Sequence, residues 1–205
     1  MRISSSALRL GASFEQAVRL EDGRHVRLRW IRRADSDILL EGFARLSMES
    51  RVMRFFAPLH TLSEETLRYL TEVDGINHAA LLAVSPLGEG PGARDRGYGV
   101  ARFIRSESDP RSAEVAVTVA DDTQGRGLGR RLLATLAVAA QERGIETFQM
   151  SVLGSNWRAH ELLRRIHAEY RRRDGTVQEY SVGTATIAAQ SAAAGPASGG
   201  SVLVH

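Results

Sequence analysis

The sequence predicts an α/β domain built on a mixed, mostly antiparallel sheet that is covered by helices on both faces. The first reason is the order of the predicted elements: a hairpin, three helices, three strands, a helix, a strand, a helix and two strands. The second is composition, because 43% hydrophobic and 25% charged residues are ordinary for a globular protein with a core. The third is length, since 205 residues suit one domain with short extensions.

The first half of the chain contains the predicted hairpin and three helices. Alternating apolar residues flank the dipeptide Asp22-Gly23, which favours a hairpin turn. Asp35 is expected to cap the first helix, which carries apolar residues at helical spacing. A second helix is predicted over residues 48–56, and Ser63 is expected to open the third.

The second half alternates between strands and helices. A glycine-rich stretch over residues 86–96 is expected to be an exposed loop. The apolar runs on either side of it predict the remaining elements by their length and period. The predicted strands span residues 78–85, 97–105, 112–120, 145–152, 168–172 and 176–182, and the predicted helices span residues 128–143 and 156–167.

The domain itself is expected to occupy residues 16–182. Residues 1–15 show no hydrophobic period and are predicted to be a flexible N-terminal arm. From Gly183 onward, 14 of 23 residues are Ala, Gly or Ser, a composition that buries too little apolar surface to offset chain entropy. Residues 183–205 are therefore predicted to be a disordered tail.

Two missing residue types exclude several kinds of chemistry. The chain has no cysteine, which removes disulfides, thiolate metal sites and a covalent cysteine intermediate. It has no lysine either, since all 27 basic residues are arginine, and this excludes a Walker phosphate loop and a lysine Schiff base. No spacing of His, Asp and Glu indicates a metal site, so none is expected.

Charge and hydropathy favour a cytoplasmic protein. The formal net charge is only +3, so a nucleic-acid partner is not expected. No apolar run approaches the ~18 residues that a membrane span needs, and the first residues do not resemble a secretory signal. We therefore expect neither a nucleic acid nor a membrane as partner.

The most informative segment is the glycine-rich turn between residues 112–120 and the helix at 128–143. Gly125, Gly127 and Gly129 let the backbone amides turn toward one point, with the positive helix end behind them, which suits a diphosphate. The dinucleotide-binding fingerprint fits poorly, because it needs Gly-x-Gly-x-x-Gly and the spacing here is Gly-x-Gly-x-Gly. Three arginines add positive charge nearby: Arg126, Arg130 and Arg131.

Gln124, Gly127 and Gly129 match the pattern Gln/Arg-x-x-Gly-x-Gly/Ala, and on this strand–turn–helix the chain resembles the GNAT family of N-acetyltransferases. The resemblance covers roughly residues 17–182. It implies the GNAT fold and an enzyme that uses acetyl-CoA, whose pantetheine arm lies between two splayed strands.

In this sequence the two splayed strands would be residues 112–120 and 145–152. Asn156 and Ala159 match a further family landmark, an asparagine that opens the next helix and an alanine three residues later. The residues that the resemblance assigns to acetyl-CoA binding are Val117, Thr118, Val119, Gln124, Gly125, Arg126, Gly127, Leu128, Gly129, Arg130 and Asn156.

A second match concerns the acceptor of the acetyl group. Residues 46–56 read Leu-Ser-Met-Glu-Ser-Arg-Val-Met-Arg-Phe-Phe. This run is similar to one that precedes the catalytic core of bacterial protein-lysine acetyltransferases acting on acyl-CoA synthetases. The resemblance implies a protein lysine as acceptor, in a partner such as an acyl-CoA synthetase. Two alternatives stay open: a small-molecule amine as acceptor, and a non-catalytic regulatory module that binds acyl-CoA.

Glu114 is the predicted catalytic base. Strand alternation places it among small side chains, with the apolar Ala113 and Val115 on the opposite face. A lysine acceptor, with a pKa of ~10.4, arrives protonated and needs a base, reached directly or through a water. Six residues at about 3.3 Å each separate Glu114 from Ala120 by roughly 20 Å, far from the glycine-rich turn. The alternative is a solvated edge glutamate.

One position departs from the family pattern. Many members carry a tyrosine seven residues after the asparagine, as general acid for the leaving thiolate, and this chain has Leu163 there. A thiol with a pKa of ~8.5 can leave as thiolate near neutral pH, so the acid is not compulsory. His160 and His167 are possible substitutes, against the simpler role of surface or packing residues.

Overall fold

The computed structural model describes residues 8–85 and 95–193 of the chain. The strands are β1 Glu15–Arg19, β2 His25–Trp30, β3 His78–Val84, β4 Gly97–Arg105, β5 Ser112–Val119, β6 Thr147–Leu153, β7 Glu169–Asp174 and β8 Val177–Gly183. The helices are α1 Ser36–Ala44, α2 Met48–Phe55, α3 Glu64–Thr71, α4 Leu128–Glu142, α5 Trp157–Arg165 and α6 Thr184–Ala193. In the part of the chain described, no helix is both long and apolar enough to cross a membrane.

The strands form one sheet in the order β1-β2-β3-β4-β5-β6-β8-β7. The strand pairs are antiparallel except for β5 and β6, which run parallel. This topology confirms the predicted mixed, mostly antiparallel sheet. The single parallel pair places β5 and β6 side by side with their carboxyl ends at the same edge.

Helices cover both faces of the sheet, as predicted. α4 packs on one face, where Leu132 and Leu136 are buried with Phe103 of β4 and Phe148 of β6. On the opposite face, Leu82 of β3 packs against side chains of α1. β5 lies between these two layers, so its side chains alternate between the α4 side and the side of α1, α2 and α3.

Asp35 has a different role from the predicted helix cap. Its side chain makes no capping hydrogen bond to α1. Instead its carboxylate accepts two hydrogen bonds, each 2.8 Å, from the guanidinium of the buried Arg29. A buried charge needs a partner of opposite sign, and this pairing outweighs the weaker advantage of a cap.

The N-terminal prediction is wrong for residues 8–15. Leu10 is only 6% exposed, and Trp30 Nε1 donates hydrogen bonds to the carbonyls of Leu10 at 3.1 Å and Gly11 at 2.8 Å. The indole N–H needs an acceptor inside the protein, and the segment before β1 supplies two. Residues 1–7 of the predicted arm lie outside the described part of the chain.

The tail prediction is wrong for residues 183–193. β8 ends at Gly183, and α6 follows it and packs against α4, with Ile187 only 1% exposed. The hydroxyl of Thr184 donates to the carbonyl of Ile145 at 3.1 Å at the start of this helix. One large apolar side chain and many alanines are enough here because α4 supplies the surface they pack on. Residues 194–205, like residues 86–94 of the predicted loop, lie outside the described residues.

Candidate active site

A gap between β5 and β6 is the main irregularity of the sheet. The two strands pair at only three positions, and the last pair is Glu114 with Gln149. β5 then continues to Val119 and β6 to Leu153 without pairing to each other. The backbone groups of β5 that face the gap therefore have no strand partner and can hydrogen-bond an extended ligand. We call the gap and the groove around it the cleft; β5, β6, α2 and the first turns of α4 and α5 line it.

The glycine-rich turn at the far end of β5 has the backbone geometry of an anion-binding nest, and we call it the nest. Gly125 and Gly127 have φ of +73° and +80°, which glycine adopts without steric cost. Gly127 is the residue before α4, and no side chain caps this helix, so the first N–H groups point outward at its positive end. Gly129 is less constrained, because a Cβ there would meet no atom closer than 3.6 Å.

The side chain of Gln124 stabilises the glycine-rich turn through hydrogen bonds. Its Nε2 donates to the carbonyl of Val119 at 3.1 Å and to Asp121 Oδ1 at 3.0 Å. Asp121 also accepts a 2.8 Å hydrogen bond from the backbone of Ser47 and a 2.7 Å bond from the hydroxyl of Ser50. Burial alone would raise the pKa of Asp121, but these hydrogen bonds outweigh it and leave the pKa below its usual value. Ser47 and Ser50, which belong to the run at 46–56, therefore stabilise the turn through Asp121.

Two more predicted cofactor residues direct their side chains away from the nest. Arg126 makes an ion pair with Asp22 on the β1–β2 hairpin, and Leu128 is buried in the core. Hydrogen bonds from Arg24 and Arg126 lower the pKa of Asp22 to about 2. Arg130, by contrast, is exposed and forms no ion pair with any described residue, so its guanidinium is available to a diphosphate.

The remaining predicted cofactor residues line the cleft. Val117, Thr118 and Val119 form its β5 wall, on the strand edge that has no partner. Asn156 lies at the other side, where its Oδ1 caps α5 by accepting from the backbone N–H of Ala159 at 3.1 Å. The side-chain NH2 of Asn156 makes no hydrogen bond with a described residue and is free to donate into the cleft.

Glu114 lies at the vertex of the gap, at the last position where β5 still pairs with β6. Its side chain is exposed in the cleft, and its carboxylate makes no hydrogen bond or ion pair within the described part of the chain. The opposite face carries Ala113 and Val115 in the core, as the alternation predicted. A free carboxylate at this vertex can accept a proton from a group that enters the cleft.

In the part of the chain that the structure describes, neither of the two histidines considered as general acids lines the cleft. Leu163 is buried in the core, and His167 is exposed at the end of α5 with φ +56°. His160 contacts the carbonyl of Leu153 at 3.2 Å and the hydroxyl of Tyr180 at 3.1 Å. Tyr180, which the sequence analysis did not single out, lines the cleft, and burial raises the pKa of its phenol.

Glu21 is a second residue that the sequence analysis missed. It follows β1 and lines the cleft, and its Oε1 lies close enough to Gly127 that a Cβ there would be only 2.6 Å away. The Glu21 carboxylate therefore lies beside the nest, where the positive end of α4 attracts negative charge. No local pattern identifies it, because the contact joins the hairpin to a turn about a hundred residues later.

Comparison with known proteins agrees with this geometry. Residues 90–168 match the acetyltransferase (GNAT) family. The chain therefore carries a GNAT acetyltransferase domain.

Among individual proteins, the chain is 32% identical over 157 residues to Acetyltransferase Pat of Mycolicibacterium smegmatis, a match that covers 77% of this chain and 45% of that protein. It is 33% identical over 126 residues to an acetyltransferase of Pseudomonas aeruginosa, covering 61% of this chain and 64% of that protein. The GNAT domain of S. lividans PAT superposes with a TM-score of 0.74 at 29% identity, covering 82% of this chain and 96% of that one. The chain thus spans between 45% and 64% of the curated relatives' length.

Proposed function

We propose that the chain is an acetyl-CoA-dependent N-acetyltransferase that transfers the acetyl group directly to a protein lysine. The observation that carries the proposal is the arrangement along β5. A free carboxylate, Glu114, lies where β5 and β6 part, and an anion nest lies at the other end of the same gap. A long ligand with a diphosphate at one end and a reactive group at the other fits this arrangement.

The donor end of the cleft binds acetyl-CoA, which supplies the acetyl group as a thioester. The amides around Gly125 and Gly127, together with Arg130, hold the diphosphate. The unpaired edge of β5 from Val117 to Val119 hydrogen-bonds the pantetheine amides as a strand would. The NH2 group of Asn156 adds a donor from the opposite wall. Gln124, Arg126 and Leu128 contribute through the backbone of the turn.

The acceptor end performs the proton transfer. A lysine has a pKa of ~10.4 and is protonated at neutral pH, so its amine becomes nucleophilic only after a base removes the proton. Glu114 is exposed in the cleft and unpaired, and it takes this proton directly or through a water. The neutral amine attacks the thioester carbonyl in one complex of both substrates, and coenzyme A leaves as its thiolate. The chain has no cysteine to carry the acetyl group and no motif for an acyl-serine.

The assignment of a protein lysine rests on the run at 46–56 and on the similarity to Acetyltransferase Pat. An acyl-CoA synthetase whose active-site lysine is acetylated is the substrate we propose, in the cytoplasm. The absence of lysine from the enzyme makes this easy to measure. Label that enters protein lysines must have entered the partner, since the enzyme has none of its own.

The test supplies radiolabelled acetyl-CoA with three acceptors: a purified bacterial acyl-CoA synthetase, the same synthetase with its active-site lysine changed to arginine, and a panel of small amines. We expect label in the first synthetase and not in its arginine variant. Glu114→Gln should lower the rate, whereas Glu107→Gln, an exposed glutamate outside the cleft, should not.

Label that enters small amines alone would overturn the protein acceptor. Binding of acetyl-CoA without transfer to any amine would overturn the enzymatic proposal and leave a non-catalytic module that binds acyl-CoA.

A further inference from the structure

A second cavity lies on the face of the sheet that α1, α2 and α3 cover, and its lining includes Ala116, two positions along β5 from Glu114. Its walls are mostly apolar, and Phe55 of α2 and Leu70 of α3 also line the cleft, so the two spaces adjoin. Two arginines line both spaces: Arg54 of α2 and Arg102 of β4. We call these two residues the arginine pair.

Neither guanidinium of the arginine pair forms an ion pair with a described residue. Arg102 is only 4% exposed, and it donates to His78 Nε2 at 3.0 Å and to the carbonyl of Leu70 at 3.1 Å. Burial and the charge of Arg102 lower the pKa of His78, so the ring is a neutral acceptor at neutral pH. Arg54 is half-buried and contacts the ring of Phe55, with 4.9 Å between its Cζ and the ring centroid.

Arg29, which is buried to the same degree as Arg102, has a bidentate carboxylate partner in Asp35. Arg143, like Arg102, donates to backbone carbonyls, at 2.6 Å to Gly75 and 2.8 Å to Ala139, and forms no ion pair among the described residues. The arginine pair differs from both because its two like charges line one cavity. Burial, with the charge of Arg54 added, lowers the pKa of Arg102 to about 10. Such an arrangement is costly unless an anion completes it.

We propose that the arginine pair binds a carboxylate of the amine acceptor and so selects amines that have a carboxylate nearby. The strand register places such a carboxylate close to the base Glu114. Arg102 pairs with Ala116 on β5, two positions from Glu114, so the carboxylate would lie roughly 7 Å along the strand from the base. The site suits a carboxylate, because the Arg54 guanidinium makes no hydrogen bond within the described residues and can donate two parallel ones. Arg102, whose two terminal nitrogens each have one partner already, adds a second positive charge and its remaining N–H groups.

The phosphates of acetyl-CoA do not explain this site. The nest that suits them lies beyond Ala120, four residues and roughly 13 Å further along the strand than Ala116. The proposal rests on the proposed function in one respect, namely that the acceptor amine meets Glu114. For a protein acceptor, the carboxylate comes from an acidic side chain near the target lysine.

The test uses capped peptides that contain one lysine, with aspartate or asparagine placed at each of the two positions on either side. Two readouts are taken with the full chain: kcat/KM with acetyl-CoA, and binding of fluorescent peptides in which norleucine replaces the lysine. The binding readout needs no acetyl transfer, so it decides the proposal even if the proposed function fails. Free lysine and lysinamide form a second arm, which distinguishes an α-carboxylate from a side-chain carboxylate.

We expect aspartate at one position to improve both readouts by about tenfold to a hundredfold, as a charge-assisted hydrogen bond would. Arg54→Gln should reduce this preference to twofold or less in both readouts. Arg68→Gln, an exposed arginine of α3 outside both spaces, is the control and should keep the preference. Arg54→Lys should recover part of it.

Equal readouts for every aspartate and asparagine peptide, together with equal use of lysine and lysinamide, would overturn the proposal. So would a preference that survives Arg54→Gln. A preference for succinyl-CoA over acetyl-CoA that depends on Arg54, without any acceptor preference, would assign the pair to the acyl group and also overturn it.

Discussion

We expect Glu21 to make the nest bind its ligand more weakly than the backbone amides alone would. Its carboxylate sits beside Gly127 at the positive end of α4, where the diphosphate of acetyl-CoA is proposed to bind. The bound anion must displace or tolerate this charge. A carboxylate at a helix N-terminus is stabilised by about 0.3–1 kcal/mol, which is the free energy lost when it is displaced.

Glu21→Gln should therefore tighten acetyl-CoA binding about twofold to fivefold in calorimetry. The control is Glu107→Gln, which removes one negative charge outside the cleft and should leave the affinity unchanged. Weaker binding by Glu21→Gln would show that Glu21 supports the turn instead of opposing the ligand.

At this scale the sequence predicted which residues form the glycine-rich turn, but not where their side chains point or that Glu21 lies beside it. The spacing of the glycines requires a turn with φ near +75° at Gly125 and Gly127, so the backbone geometry follows from the motif. The side chains of Gln124 and Arg126 depend on partners elsewhere in the chain, Asp121 and Asp22. No local pattern fixes such contacts.

The elements were predicted more completely than their pairing. Hydrophobic periods located the strands and helices to within a few residues, because each period reports which face is buried. That β5 and β6 pair at only three positions is a property of register, which a strand's own sequence does not contain. The gap between β5 and β6 could be predicted only through the resemblance to a known family.

α6 is the element for which composition led to the wrong prediction. Its alanines resemble a tail, yet Ile187 is 1% exposed against α4. Ile187→Ala should lower the free energy of unfolding by about 2–5 kcal/mol, the usual range for a buried isoleucine. Urea unfolding followed by circular dichroism measures this.

Thr186→Ala, at an exposed position of the same helix, is the matched control and should change the free energy by less than about 0.5 kcal/mol. If the two variants unfold alike, α6 contributes no packing to the domain.

At the scale of the whole molecule, three distant segments assemble the donor end of the cleft: the β1–β2 hairpin, the start of α2 and the glycine-rich turn. The hairpin contributes Asp22, which pairs with Arg126 across 104 residues of sequence. The start of α2 contributes Ser47, which bonds Asp121 across 74 residues. The acceptor end depends on Glu114 of β5, Arg102 of β4 and Arg54 of α2. Because the Glu114 side chain makes no hydrogen bond or ion pair within the described residues, a substitution there should leave the nest intact.

The most direct test of this account measures acetyl-CoA affinity and turnover in parallel for Glu114→Gln and Gly127→Asp. Glu114→Gln should keep the affinity nearly unchanged and lower turnover roughly 10²- to 10⁴-fold, with a loss that shrinks as pH rises and free amine becomes abundant. Gly127→Asp should lose affinity first, since it adds a side chain beside Glu21 and a negative charge in the nest. Equal loss of affinity in both variants, without recovery of the glutamine variant at high pH, would contradict the assignment of Glu114 as the base.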